Sequence, residues 1–384
     1  MGFSTVFSQI VKVIPRTEFE SWVHQYDGDR GIRSLDCWSW FGALLFGQLS
    51  GHDSIRAIER VFACSDSRFQ KLGFGPVRRS TLADANHTRP LAILEQAFHY
   101  VLSRAKSMCP HKHGFRFNGD VVALDASTLQ LCLSLSPWAN FDSRSASVKL
   151  HTAIDLAGEL PEFAIITKST AQEMRVIRHF KNFRRGSTLL FDRGYTDFSW
   201  FNELNQNGVF FVTRMRSIYK FKVVRSMPTD RTRGYLCDQL IYFNGPKGSF
   251  YQGKLRRISF RDPDTGRKLV FLTNRFDLAT STICMLYKAR WKVELFFKTL
   301  KQNLKIRKFL GNSFHAVRAQ IWIALIAYLL VQIFRFQARS TISMPDAMAV
   351  LGTLLLLNEP VTRLLGALPR VIRHRPNDQL LLNV

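Results

Sequence analysis

Cysteine is sparse in this chain: six in 384 residues, none in a Cys-x-x-Cys pair. That spacing argues against a zinc ribbon and a disulfide scaffold, and for a reducing compartment. The one cluster of soft ligands, Cys109-Pro-His-Lys-His113, reads as a basic loop before a strand, because two-residue spacing seldom lets one loop build a tetrahedral site. No apolar run reaches the ~20 residues of a bilayer span. The longest, Ile321 to Phe334, is interrupted by Gln332 and reads as a buried helix, so no membrane partner is expected. Residues 1–13 lack a basic start and a long apolar core, so no secretory signal is expected, and a cytoplasmic location is the expectation. No repeat or low-complexity tract occurs. Acidic residues are scarce: Asp+Glu is 29 against 54 Lys+Arg, a net charge of +25. Such an excess suits a polyanion.

What is present divides into segments. Residues 1–105 read as helical, with helix-like apolar spacing over 18–24, 38–49 and 54–62, Ser54 as an N-cap, and a further helix from Ser80-Thr81 towards Ser103. Arg56, Arg60, Arg78 and Arg79 on short helices fit a helix-turn-helix DNA reader or a packing domain with solvated arginines. Beyond residue 115 the period shifts to that of strands: Val121–Leu124, Ser147–Asp155, Glu162–Thr167, Thr188–Phe191 and Val209–Thr213, with helices over 171–183 and 198–206. This predicts a mixed α/β core over 115–213 and 269–340, interrupted by a basic β-rich segment at 214–268. That segment holds 14 Lys+Arg and 4 Asp+Glu, a net of 14 − 4 = +10. Residues 341–384 read as a C-terminal helix and a basic tail, Arg370 to Arg375.

Two apolar runs end in an aspartate, Asp125 and Asp192. Strand ends gather ligand sites, and a half-buried carboxylate there needs a compensating charge. A third carboxylate, Glu294, lies in Tyr287-Lys-Ala-Arg-Trp-Lys-Val-Glu-Leu-Phe-Phe-Lys-Thr-Leu-Lys301. On a single helix, Tyr287, Arg290, Glu294 and Lys301 fall within an arc of about 60°. An apolar stripe of Leu286, Val293, Phe297, Leu300 and Leu304 runs beside them, and Trp291 borders the polar face. Three carboxylates suit Mg²⁺ or Mn²⁺, and two such ions suit phosphodiester chemistry. The bland readings are an aspartate that caps a turn, and a surface ion pair between Glu294 and Lys298. His151 reads as a satisfied sheet residue.

The spacing Tyr287-x2-Arg290-x3-Glu294-x6-Lys301 resembles the YREK motif of the DD-E transposases of the insertion-sequence-four family, relatives of the transposase of transposon Tn-five. Ala123-Leu-Asp-Ala-Ser127, Lys149-Leu-His151 and Phe191-Asp-Arg-Gly-Tyr195 support it, as do Phe46–Gly51 and Arg79–Asp84 in the helical stretch. The resemblance implies a ribonuclease-H-like mixed sheet with flanking helices, a β-rich insertion and an all-helical N-terminal DNA-binding domain. It implies Asp125, Asp192 and Glu294 as catalytic metal ligands for two Mg²⁺ (or Mn²⁺) ions. Tyr287, Arg290 and Lys301 would contact DNA phosphates, with Arg193 and Trp291 as further DNA contacts. Arg193 reads equally as part of a turn-stabilising ion pair, and Trp291 as a core anchor. The family binds terminal inverted repeats, cuts the element ends and joins them to target DNA, its better-known members through a hairpin. A homodimer on double-stranded DNA, nucleoid-associated when bound, is implied. The related insertion carries an indole near the flipped base, whereas residues 214–280 here hold no Trp. A regulator that no longer cuts, and a nuclease without strand transfer, are the rival readings.

Overall fold

The structure is a computed structural model and describes residues 4–109, 113–131, 146–178, 180, 183–244, 250–303, 310–311 and 313–366. Leu304, the basic tail and most of the Cys109–His113 loop lie outside the described residues.

The amino-terminal helices are α1 (Val6–Val11), α2 (Arg16–Gln25), α3 (Cys37–Ser50), α4 (Ile55–Cys64), α5 (Asp66–Gln70), α6 (Arg79–Thr88) and α7 (Leu91–Met108). Ser54 caps α4, its hydroxyl accepting from the Ala57 N–H at 3.2 Å. The helix expected from Ser80 towards Ser103 is two, because Pro90 follows Arg89 and holds it extended. α3 is apolar all round, and buried all along Cys37–Leu49.

The sheet is formed by β1 (Val121–Leu131), β2 (Ala146–Asp155), β3 (Leu160–Lys168), β4 (Thr188–Leu190), β5 (Phe210–Arg214), β6 (Phe221–Met227), β7 (Tyr235–Phe243), β8 (Leu255–Arg261) and β9 (Lys268–Thr273). Its order is β3-β2-β1-β4-β5-β9-β8-β7-β6. β1, β4 and β5 run parallel, and the other neighbours pair antiparallel. The basic segment therefore adds β6–β8 to the same sheet through β9. Between strands lie α8 (Glu173–Ile177) and α9 (Phe198–Gln206). α8 is much shorter than the expected helix over 171–183. Beyond it the Phe180 ring packs on that of Phe163, with centroids 4.1 Å apart and planes tilted by 33°.

After β9 come α10 (Thr280–Ala289), α11 (Trp291–Asn303), α12 (Phe314–Gln337), α13 (Met344–Leu354) and α14 (Val361–Gly366). The last two replace the single C-terminal helix expected within 341–384, with Pro360 between them.

Strand periodicity sends alternate side chains to opposite faces. Val122, Leu124, Leu189, Phe191 and Phe211 pack with Phe198, Phe201 and Leu204 of α9 in one core. Val121, Ala123, Leu190 and Val212 belong to the other, with α10, α11 and α12. That second core continues without a break into the amino-terminal helices. α12 is its axis: Ile321–Phe334 is buried throughout, against α3 and α7 as well as α11. The apolar run read from the sequence is a core helix. At roughly 1.5–3 kcal/mol for each fully buried large aliphatic side chain, it is a main source of the fold's stability.

Candidate active site

The parallel strands set the site. Their register pairs Ala123 with Leu190 and Leu190 with Val212. Two residues on, the same face must carry Asp125, Asp192 and Arg214 side by side. β4 has ended by then, so the edge of β1 is open beside Asp125. Asp125 does not end its strand as expected: β1 runs on to Leu131, with Asp125 opposite Thr152 of β2. The polar alternation of Ala126 to Leu131 still pairs with β2, which is why the strand continues.

Asp125 Oδ1 accepts from the Ala126 N–H at 2.8 Å. Burial pushes this carboxyl up to about 7, the nearby Arg290 guanidinium opposes the shift, and the charges of Asp192 and Glu294 add to it. Asp192 caps a 3-10 turn, Arg193–Tyr195, with Oδ1 accepting from the Gly194 N–H at 2.7 Å. Its backbone carbonyl accepts from Thr213 Oγ1 at 3.2 Å, which ties the turn to β5.

Above this row lie α10 and α11. The single helix expected from Tyr287 to Lys301 is broken at Arg290. Hydrogen bonds from Arg290 N to Tyr287 O (3.2 Å) and from Val293 N to Arg290 O (3.1 Å) tighten the chain there. Arg290 itself keeps α-helical dihedrals (φ −51°, ψ −32°), and its side chain reaches the sheet. Its Nη2 donates to Glu294 Oε1 at 2.6 Å, and its Nη1 stands 3.6 Å from Asp125 Oδ2. Glu294 thus pairs with Arg290 rather than with Lys298, which is exposed.

The other expected residues fall around this centre. Tyr287 is buried, its ring 4.9 Å from that of Phe271, and burial raises its hydroxyl while Arg290 and Arg214 oppose. Lys301 is exposed on α11; partial burial lowers its amine, against the charge of Asp125. Arg193 is exposed, and its side chain makes no ion pair among the described residues. Trp291 is half-buried at the start of α11. It lines a pocket of about 230 Å³ whose other walls include Arg214, Tyr235, Phe260 and Met285. His151 is buried on β2, bonded to Thr167 Oγ1 at 2.9 Å and lowered to about 4 by burial and by Lys149.

Two residues at the site escaped the sequence reading. Arg214 ends a third apolar strand run in a charge, the same signal as Asp125 and Asp192. Glu173 was hidden in the expected helix. Its Oε1 lies 3.4 Å from Lys149 Nζ, and its other oxygen lies over Gly194.

Hard, oxygen-only donors fit Mg²⁺ or Mn²⁺ better than softer ions. A positive charge is already held between Asp125 and Glu294, by Arg290. Among the described residues, no three His, Cys, Asp or Glu side chains converge closely enough to hold one ion. The donor set fits the metal, and Arg290 stands where the carboxylates would close on it.

A carboxylate row flanked by cations, on a strongly basic chain, defines a class of site that works on phosphate esters. Within that class the chain belongs to a known family: the transposase DDE domain matches residues 116–330, more than half of the chain. It is accordingly a DNA transposase, an enzyme of the polynucleotidyl transferase and endonuclease kind, and domains of this family use divalent metal ions. A domain of unknown function (DUF4372) matches residues 3–75. The transposase y4zB of Sinorhizobium fredii is 32% identical over 256 residues, 66% of this chain and 70% of that one. The transposase for insertion sequence element IS5377 of Geobacillus stearothermophilus is 26% identical over 254 residues, 66% of each chain. The piggyBac transposase in a synaptic complex with hairpin DNA superimposes with a TM-score of 0.47 at 14% identity, over 95% of this chain and 82% of that one. That likeness is too distant to define the fold.

Proposed function

We propose that this transposase binds the terminal inverted repeats of an insertion sequence, cuts the element ends and joins the freed 3′ ends to target DNA. We place it with the insertion-sequence-four group, whose YREK spacing it carries at Tyr287, Arg290, Glu294 and Lys301. The strand order β3-β2-β1-β4-β5, antiparallel then parallel, supports a ribonuclease-H-like core. The observation that supports the reading is the parallel register of Ala123 with Leu190, two residues before Asp125 and Asp192, together with Arg290 reaching both Asp125 and Glu294.

Asp125, Asp192 and Glu294 hold the divalent ions. Bound there, the ions supply Lewis-acid activation of the attacking water or 3′-hydroxyl and offset charge on the leaving oxygen. The chain's own residues do the positioning. Arg214 and Arg193, at the ends of neighbouring strands, neutralise phosphates beside the scissile bond. Lys301 lies about 10 Å along the helix from Glu294 and serves a neighbouring phosphate. Arg290 and the Tyr287 hydroxyl complete that rail.

Trp291 and its pocket offer an aromatic face to a base displaced from the stack, which a hairpin route requires. The exposed arginines of α4 and α6 and the basic strands β6–β8 bind the repeat duplex. Two copies pair on DNA in the cytoplasm.

The test is direct. Protein, Mg²⁺, a labelled terminal-repeat duplex and a supercoiled plasmid should yield label joined to plasmid. Cleavage without joining would reduce the enzyme to a nuclease, and binding without cleavage would make it a regulator.

A further inference from the structure

Arg290 has two commitments that exclude each other. In the structure its guanidinium lies between two of the three carboxylates, 2.6 Å from Glu294 Oε1 and 3.6 Å from Asp125 Oδ2. Its side chain is only 11% exposed, so a DNA phosphate cannot reach it there. The Asp125 arm is long for a hydrogen bond, Arg290 Nε has no hydrogen-bond partner among the described residues, and the Tyr287 ring lies 5.6 Å from the guanidinium. For the carboxylates to close on a cation, the guanidinium has to withdraw. For the guanidinium to bind phosphate, it has to withdraw as well. One movement of the side chain serves both.

We propose that Arg290 is a latch that holds the metal site shut until DNA draws it away, so that ion loading and DNA binding are coupled. The proposal rests on Asp125, Asp192 and Glu294 being the metal ligands. Linkage then requires reciprocity: DNA raises affinity for the ion by the factor by which the ion raises affinity for DNA. Free protein holds the ion weakly, which keeps the nuclease site quiet away from a phosphate backbone.

The probe is Mn²⁺, titrated into full-length protein and followed by the electron paramagnetic resonance of the free ion, with and without a short terminal-repeat duplex. Wild-type protein is expected to bind Mn²⁺ about 5–150-fold more tightly with DNA present, the usual range of such coupling. Arg290→Gln is expected to bind Mn²⁺ tightly without DNA and to lose most of the DNA effect. Arg290→Lys keeps a cation but reaches only one carboxylate, so it should shift affinity in the same direction by less. Thermal melting of each variant establishes that it is folded.

If Arg290→Gln and Arg290→Lys bind Mn²⁺ no more tightly than wild type in the absence of DNA, the latch is overturned. Asp125→Asn separates that failure from failure of the metal reading: it must weaken Mn²⁺ binding in the DNA complex. If it does not, the metal assignment falls and takes the latch with it.

Discussion

Two arginine–carboxylate clusters, made of the same groups, stand at opposite ends of α10 and are held in opposite ways. At its start, Arg256 of β8 meets Asp238 of β7 through two bonds, Nε to Oδ1 at 2.9 Å and Nη2 to Oδ2 at 2.5 Å. Thr280 Oγ1 donates to the same Asp238 oxygen at 2.6 Å, and Arg256 Nη1 donates to the Leu278 carbonyl at 2.5 Å. Both side chains are almost fully buried. At its far end, Arg290 meets Glu294 closely, Asp125 at 3.6 Å, and nothing through Nε. The first pair is saturated and joins the added strands to the helix. The second is less fully bonded, with the Tyr287 ring 5.6 Å from the guanidinium, and burial raises the Asp125 pKa against the opposing Arg290 charge. A buried pair with every donor used is structural, whereas one with donors to spare is available for exchange.

Four changes sharpen or break that contrast, from large to small. Asp125→Asn should lower strand cleavage and joining by about 10³-fold or more, since metal stabilisation of the transition state is worth several kcal/mol. Activity surviving that change would make the second cluster structural too. Arg256→Ala should destabilise the fold by about 3–5 kcal/mol, because it strands Asp238 in the core. Urea unfolding measures this, and a small loss would erase the distinction.

The third change is in pH. The Asp125 pKa is raised in the fold from 3.8 to about 7, so the protonated form favours the folded state. Its contribution to stability is present below pH 4 and is lost as pH rises through about 7, on the order of 4 kcal/mol for a shift of that size. Melting curves of metal-free protein should show Asp125→Asn more stable than wild type at pH 7.5, with no such gain below pH 4. Last, Arg214→Ala should weaken DNA binding alike for all sequences and reduce the salt dependence, log Kd against log salt, by about one phosphate contact. An unchanged slope would remove Arg214 from the phosphate rail.

Much of this was legible in the chain. Asp125 and Asp192 announce themselves because each closes an apolar run, and parallel register then sets them together. The motif spacing pointed to Arg290, Glu294 and Lys301 without needing the helix to be continuous. The break at Arg290 was not legible: no proline or glycine marks it, and it accompanies a side chain drawn down to carboxylates contributed by distant segments. Arg214 was passed over because an arginine after a strand looks like a solvated end, and only the register of β4 with β5 shows its face. Glu173 depended on α8 stopping early, at Ile177, with Phe180 beyond it packed on Phe163 of β3. The strands β6–β8 were expected, and β8 and β9 form a hairpin; their union with the central sheet is the pairing of β9 with β5, Val212 opposite Thr273, which is distant in sequence and has no local signal.

The unbroken core around α12 has a consequence for how such a chain can evolve. Helices that share their packing with the sheet-bearing half can be exchanged between elements only together with the faces of α12 that they cover. Whatever the amino-terminal helices recognise, a lineage can change it residue by residue on their exposed faces, with the interior held constant. Elements built this way should diversify by drift of surface arginines rather than by recombination of modules.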